Sequence, residues 1–123
     1  MPSRPQSPRT RRVADRIQVE LAEILTLRTE DPRLRTLTVT AAEVNRDFSV
    51  AKIWVAGGSL RKEEEPSVLQ ALGRAAPYFR SLLAPRLKLR IVPQLEFQVD
   101  HSIENGARIE QLLREMKEPP RDE

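Results

Sequence analysis

Residues Leu37–Ala56, LTVTAAEVNRDFSVAKIWVA, settle the fold class. Leu37 to Asn45 and Phe48 to Ala56 are rich in Val, Ile, Thr, Trp and Phe and partly alternate apolar with polar positions, the period of a half-buried strand. Asn45, Arg46 and Asp47 between them are turn formers, so the stretch predicts a β-hairpin. On its N-terminal side the period changes. Val13, Ile17, Leu21, Ile24 and Leu25 recur at helical spacing with Arg12, Arg16, Gln18 and Glu20 between them, predicting a helix from Thr10 to about Arg28. That helix must stop before Asp31-Pro32, because a residue preceding proline is driven out of the helical region.

On the C-terminal side, Gly57-Gly58 and the charged run Arg61 to Glu65 predict a loop, and Pro66-Ser67 opens a second helix carrying Val68, Leu69, Leu72, Ala75 and Ala76. Proline cannot donate a backbone hydrogen bond and crowds the carbonyl four residues back, so this helix is expected to break at Pro77 and resume through Tyr78, Phe79, Leu82 and Leu83. Leu87, Leu89 and Ile91 alternate with Lys88 and Arg90, an extended pattern if continued. A third strand follows, with Leu95, Phe97 and Val99 on one face, and then a last helix capped by Ser102 and carrying Ile103, Ala107, Ile109, Leu112, Leu113 and Met116. The order is helix, strand, strand, kinked helix, strand, helix. A three-stranded sheet with helices on one face would bury every one of these apolar stripes, which makes the chain an α+β domain.

Composition narrows the function. A chain of 123 residues with 39% hydrophobic content supports one folded domain. Three Pro and two Ser among residues 1–8 predict a disordered tail, and residues 117–123 an acidic, proline-containing one. No cysteine is present, which excludes a disulfide framework and thiolate metal sites and is compatible with a reducing cytoplasm. No apolar run is long enough to span a bilayer, and the first twelve residues lack the apolar core of a secretory signal. Aromatic content of 4% argues against a base-stacking platform, so a nucleic-acid partner would be held by charge and shape.

The net charge of +3 conceals a strong asymmetry. Between Ser67 and Leu95 there are five cations, Arg74, Arg80, Arg86, Lys88 and Arg90, and no carboxylate. Arg9, Arg11 and Arg12 form a basic entry to the first helix, whereas Glu96 to Glu123 carries eight acids. A polyanion fits the cleared segment, and these cations, with Arg11 and Arg12, are the candidate phosphate contacts. Arg86, Lys88 and Arg90 share a face only if their segment is extended. Arg33, Arg35, Arg46 and Lys52 are secondary candidates, and Arg108 is read as pairing with Asp100 or Glu104. The single His101 has no second His or Cys to complete a metal site, no nucleophile triad or phosphate-cradling glycine motif exists, and a solvent-facing residue at a strand end explains it better. No metal, cofactor or catalytic group is expected.

Five pieces of sequence, in order, resemble the ribosome-binding factor A family over residues 9 to 116. They are Arg12-Val13-Ala14-Asp15-Arg16-Ile17-Gln18 with Glu20-Leu21; Asp31-Pro32-Arg33 before Thr38-Val39-Thr40; Arg46 to Ile53; Arg86 to Leu95; and Asp100-His101-Ser102 with Gly106-Ala107-Arg108-Ile109. The resemblance implies a type II KH-like domain that binds the small (30S) ribosomal subunit and 16S rRNA, promotes late maturation and processing of the 16S precursor, notably in the cold, and catalyses no covalent step. It also implies a kink of the form Ala-x-Gly in the second long helix, aligned with Ala75-Ala76-Pro77, so proline stands here where the family has glycine. Glycine bends a helix by torsional freedom and proline by fixing φ and deleting a donor, so no phosphate contact through that amide is available. A cytoplasmic monomer is expected, with basic ribosomal proteins as further partners. The competing reading is a protein-interaction module that docks its acidic C-terminal helix on a basic partner.

Overall fold

The structure, a computed structural model, describes residues 6–57 and 59–117, the side chains of 103–109 and 117 excepted. Residues 1–5 of the tail expected at 1–8, residues 118–123 of the tail expected at 117–123, and the expected pairing of Arg108 lie outside the described residues. Helix α1 spans Pro8–Leu27, a short α2 Pro32–Arg35, strands β1 and β2 Thr38–Val44 and Val50–Ala56, helix α3 Glu65–Leu87, strand β3 Gln94–Val99 and helix α4 Ser102–Lys117. The sheet order is β1-β2-β3. The hairpin partner β1 runs antiparallel to β2, and β3 runs parallel to it, as a strand returning through a helical crossover can.

Helix α1 starts earlier than Thr10. Ser7 caps it, its hydroxyl accepting from Thr10 N at 3.2 Å, and Pro8 occupies the first turn, where a missing donor costs nothing. The Gln6 side chain in turn accepts from Val44 N at 3.1 Å, so Gln6 and Ser7 belong to the domain and not to a tail. Ile17, Leu21, Ile24 and Leu25 are fully buried, as their spacing requires. The stop before Asp31-Pro32 also stands. Asp31 caps α2 through Arg33 N, and a hydrogen bond from the Arg33 side chain holds the Asp31 carboxyl below the usual range.

Helix α3 differs from expectation and runs unbroken through Pro77 and Pro85. Its buried positions Val68, Leu72, Ala76, Phe79 and Leu83 form one stripe that stays in helical phase across Pro77. The carbonyls that the two prolines leave without a partner belong to Gly73 and Ser81, both at exposed positions where water can replace the lost donor. Packing of the stripe thus outweighs the local penalty, and Pro77 is an interior residue instead of a boundary. Beyond Leu87 the extended alternation does not form. Lys88 ends the helix in the left-handed region (φ 54°), and Ile91 is exposed.

The two long helices lie on one face of the sheet, α1 against β1, α3 against β3, and each against the other. Ala51, Ile53 and Val55 of β2 face them together with Leu95, and the Phe79 and Phe97 rings meet edge to face at 6.2 Å. A bulge between Val39 and Ala41 shifts the β1 register, so that Val39, Ala42 and Val44 all reach the helix side. Thr40, the extra residue, donates to Asp100 Oδ2 at 2.6 Å and ties the edge strand β1 to the end of β3. Asp100 also accepts from Ser102 N, so Ser102 is the first residue of α4 and not its cap. The expectation that every apolar stripe is buried fails at α4, whose Leu112, Leu113 and Met116 are exposed.

In the hairpin, Asn45 O accepts from Phe48 N, and Asp47 accepts from the Ser49 hydroxyl and N–H, which lowers the Asp47 carboxyl below its usual range. Phe48 sits at φ 59°, a left-handed position that usually takes glycine in such turns. Its ring packs against the core and under the Arg9 guanidinium, 5.1 Å from the ring centroid. Removing the ring while keeping a Cβ retains the backbone strain, so Phe48→Gly should be more stable than Phe48→Ala by about 1 kcal/mol in urea unfolding. Equal stability, or a more stable alanine variant, would show that the turn is not strained.

Burial opposes ionisation of Asp100, but hydrogen bonds from Thr40 and Ser102 outweigh it and hold the carboxyl at about 2. Since the unfolded carboxyl titrates near ~3.9, the contribution is complete above that pH and disappears as pH falls through the folded value. Thr40→Val should therefore reduce, by on the order of 1 kcal/mol, the stability lost between pH 5 and pH 2.5. Unfolding free energies of the two proteins that fall in parallel over that interval would rule this out.

Candidate nucleic-acid interface

Arg12, Val13 and Arg16 of α1 and Arg86, Leu87, Lys88 and Leu89 at the end of α3 line one groove of about 370 Å³. Arg12 and Arg16 are one helical turn apart and project on the same side of α1. Glu20, the next residue in that row, accepts from Arg86 at 2.9 Å and approaches Arg16 at 3.4 Å, and Glu23 stands 3.6 Å from Arg86. Glu20 and Arg86 are the inward members of this cluster, so the pair locks α1 to α3 at the groove. Arg12, Arg16 and Lys88 remain exposed around it, with Val13, Leu87 and Leu89 supplying an aliphatic floor. Three cationic side chains over an apolar strip suit a phosphate chain with a sugar or base laid beneath it.

The remaining sequence candidates are distributed differently. Arg80 is half-buried and donates to the carbonyls of Val92 and Pro93 at 2.7 and 3.1 Å, fastening α3 to the entry of β3. Arg74 and Arg86 lie about 120° apart around α3, so Arg74 stands on another side of the helix from the groove, close to Ala75, Ala76 and Pro77. Arg90 is exposed in the bend after α3, and Arg11 is exposed beside Arg12. Because Arg86 is helical and Lys88 left-handed, Arg86, Lys88 and Arg90 do not form an extended face. The five cations of the acid-free segment are thus not one ridge. Two are bound by the protein itself, and Lys88 meets Arg12 and Arg16 of α1.

Arg33 is held by Asp31 at 2.8 Å and by Ser67 at 3.1 Å, and Arg35 by the carbonyls of Thr29 and Glu30. Both fix the loop before β1. Arg46 and Lys52 line a second cleft on the opposite face of the sheet, beside Glu43 and Glu96. His101 is half-buried with Nε2 3.4 Å from Glu65, which links the end of β3 to the start of α3. Among the described residues no three His, Cys, Asp or Glu side chains converge as metal ligands. No helix among them is long and apolar enough to cross a membrane.

Arg16 was not singled out by sequence. Its spacing of four from both Arg12 and Glu20 is the signal that could have found it. The meeting of Arg12 with Lys88 carries no local signal, because the fold brings together residues far apart in the chain.

Comparison with known proteins places the chain in a family. The family model described as ribosome-binding factor A matches residues 9–113. Ribosome-binding factor A of Thiobacillus denitrificans is 44% identical over 108 residues, covering 86% of this chain and 85% of that protein. Its counterpart in Alkalilimnicola ehrlichii is 41% identical over 116 residues, covering 94% and 89%. The crystal structure of ribosome-binding factor A from Thermus thermophilus superposes with a TM-score of 0.65 at 33% identity, covering 73% of this chain and 93% of that one. A homology model of the Thermus protein fitted into the cryo-EM map of a 30S–RbfA complex gives a TM-score of 0.60 at 33% identity, with 72% and 91% covered. With the α+β, KH-like arrangement of three strands and packed helices, these matches show that the chain belongs to the ribosome-binding factor A family.

Proposed function

We propose that this protein is a cytoplasmic, non-enzymatic assembly factor that binds the small ribosomal subunit, contacts 16S rRNA through the α1–α3 groove and promotes late maturation of the 16S precursor. The observation that carries the RNA contact is the convergence of Arg12, Arg16 and Lys88 on one groove whose own acid, Glu20, is already committed to Arg86. The partner follows from family membership and from the 30S complex of the Thermus relative. Arg11 and Arg90 extend the cationic field at its rim, and Arg74 gives a separate contact near Ala75-Ala76-Pro77. Arg80 and Arg86 act by shaping the groove. A factor of this kind works through binding energy, favouring one RNA arrangement by its difference in affinity for the two. Phosphate contacts made by Lys and Arg keep that binding reversible and salt-sensitive.

A second reading has one observation in its favour, the exposed Leu112, Leu113 and Met116 on α4, which suit a protein partner. Nuclease treatment of a lysate complex separates the two readings: RNA-held protein is released, and protein-held protein stays bound.

Charge reversal of Arg12, Arg16 and Lys88 to Glu should leave the unfolding temperature within a few degrees and reduce co-sedimentation with 30S subunits by at least about tenfold. The slope of log K against log salt should fall by roughly one for each phosphate that the variant no longer neutralises. Undiminished co-sedimentation would remove the groove from the interface. Arg86→Ala should behave differently, lowering stability by about 1–2 kcal/mol because Glu20 is left without its buried partner.

A further inference from the structure

Helix α3 turns one face to the core and the opposite face to solvent, and it carries no carboxylate from Ser67 to Leu87. Gly73, Arg74, Pro77, Tyr78, Ser81 and Pro85 are exposed on the solvent face, within about 140° around the axis. The strip ends one turn before Lys88, which borders the groove between α1 and α3. Among the described residues Arg74 has no ion-pair or hydrogen-bond partner. Tyr78 is 49% exposed, and its hydroxyl likewise bonds to none of them.

Interior helix carbonyls are taken up by the N–H four residues on, so a helix face normally offers a ligand only side chains. Two carbonyls of this strip escape that rule. Pro77 has no N–H for Gly73 and Pro85 has none for Ser81, which leaves two backbone acceptors at exposed positions, about 12 Å apart along the helix. Gly73 has no side chain to screen its carbonyl, and a Cβ placed there would meet nothing within 4 Å, so the approach is open. The Ser81 hydroxyl is already committed to Tyr78 O at 2.6 Å and does not supply the missing donor.

A ligand that matches this strip brings negative charge for Arg74 and Lys88, a flat ring for Tyr78 and hydroxyl donors for the two carbonyls. An RNA strand carries all three as phosphate, base and ribose 2′-OH, whereas DNA lacks the last. A basic protein segment could donate to the carbonyls, but Arg74 and Lys88 would repel it.

We propose that an RNA strand passes from the groove around Lys88 onto the outer face of α3, with Arg74 on a phosphate, Tyr78 against a base and the Gly73 and Ser81 carbonyls accepting from ribose 2′-hydroxyls. The prolines thereby create acceptors that glycine at the same position would not, since glycine keeps its N–H. That the strand belongs to the ribosomal subunit rests on the function proposed above, whereas the preference for RNA over DNA is a property of this helix face.

The test uses the full chain and three fluorescently labelled oligouridylates of equal length: the ribose form, the 2′-deoxy form and the 2′-O-methyl form, which keeps a ribose-like pucker but has no hydroxyl to donate. Anisotropy titrations at low salt are expected to show the ribose oligomer binding at least about fivefold more tightly than either of the others. Pro77→Ala combined with Pro85→Ala returns an N–H to each carbonyl and should bring the ribose-to-deoxy ratio to about twofold or less, with a melting temperature no lower than that of the unaltered protein. Arg74→Glu and Tyr78→Ala should each weaken the ribose and deoxy oligomers by a similar factor, at least about threefold. Should the double variant fold poorly, the contrast between ribose and 2′-O-methyl oligomers in the unaltered protein, taken with Arg74→Glu, decides the matter. Equal affinity for those two oligomers, a ratio that survives in the folded double variant, undiminished binding by Arg74→Glu, or failure of all three oligomers to bind would overturn the proposal. Co-sedimentation with 30S subunits reads the groove through Arg12, Arg16 and Lys88 and is measured separately, so the groove stands or falls on its own result.

Discussion

The phase of the α3 stripe across Pro77 is the constraint on which the domain depends. Val68, Leu72, Ala76, Phe79 and Leu83 stay on one line only if the helix keeps its winding through the proline. Had the chain broken there, Arg86 would leave Glu20, the α1–α3 junction would open, and Lys88 would be displaced from Arg12 and Arg16. Apolar burial therefore sets the position of charged groups to which it contributes nothing directly. A fully buried Leu or Phe contributes about 1.5–3 kcal/mol, roughly the penalty of one helix-interior proline, and the stripe has several such residues.

The proline positions show why local rules misjudge a buried helix. Sequence reading weighs the missing donor at Pro77 and the clash with Gly73, both real, and concludes that the helix stops. What decides the outcome is where those groups face. Gly73 and Ser81 lie on the solvent side, so their carbonyls keep water as a partner. Proline at the aligned position, where the family resemblance implies glycine, is compatible with a helical backbone for the same reason.

Much of the fold was legible from the chain. The hairpin around Asn45, the buried positions of α1, the inward row Leu95, Phe97 and Val99 and the order of elements all follow from period and turn chemistry. Three features were not. The bulge at Thr40 inserts one residue into β1 and is justified only by a hydroxyl reaching Asp100, sixty positions away. The exposure of the α4 apolar residues depends on where the helix is directed after β3. The cationic site was half legible: the charge pattern identified Lys88 and Arg12 but not that the two meet, Arg16 went unnoticed, and Arg80 and Arg86 turned inward to carbonyls and carboxylates. Charge counts locate cations along a chain, and only the fold decides which of them reach solvent.

Trp54 alternates away from the helices with Lys52, yet it is almost fully enclosed. It is also the sole tryptophan of the chain. Its intrinsic emission is therefore a built-in optical gauge of the sheet face turned away from the helices, on the other side of the sheet from the arginines of α1 and α3.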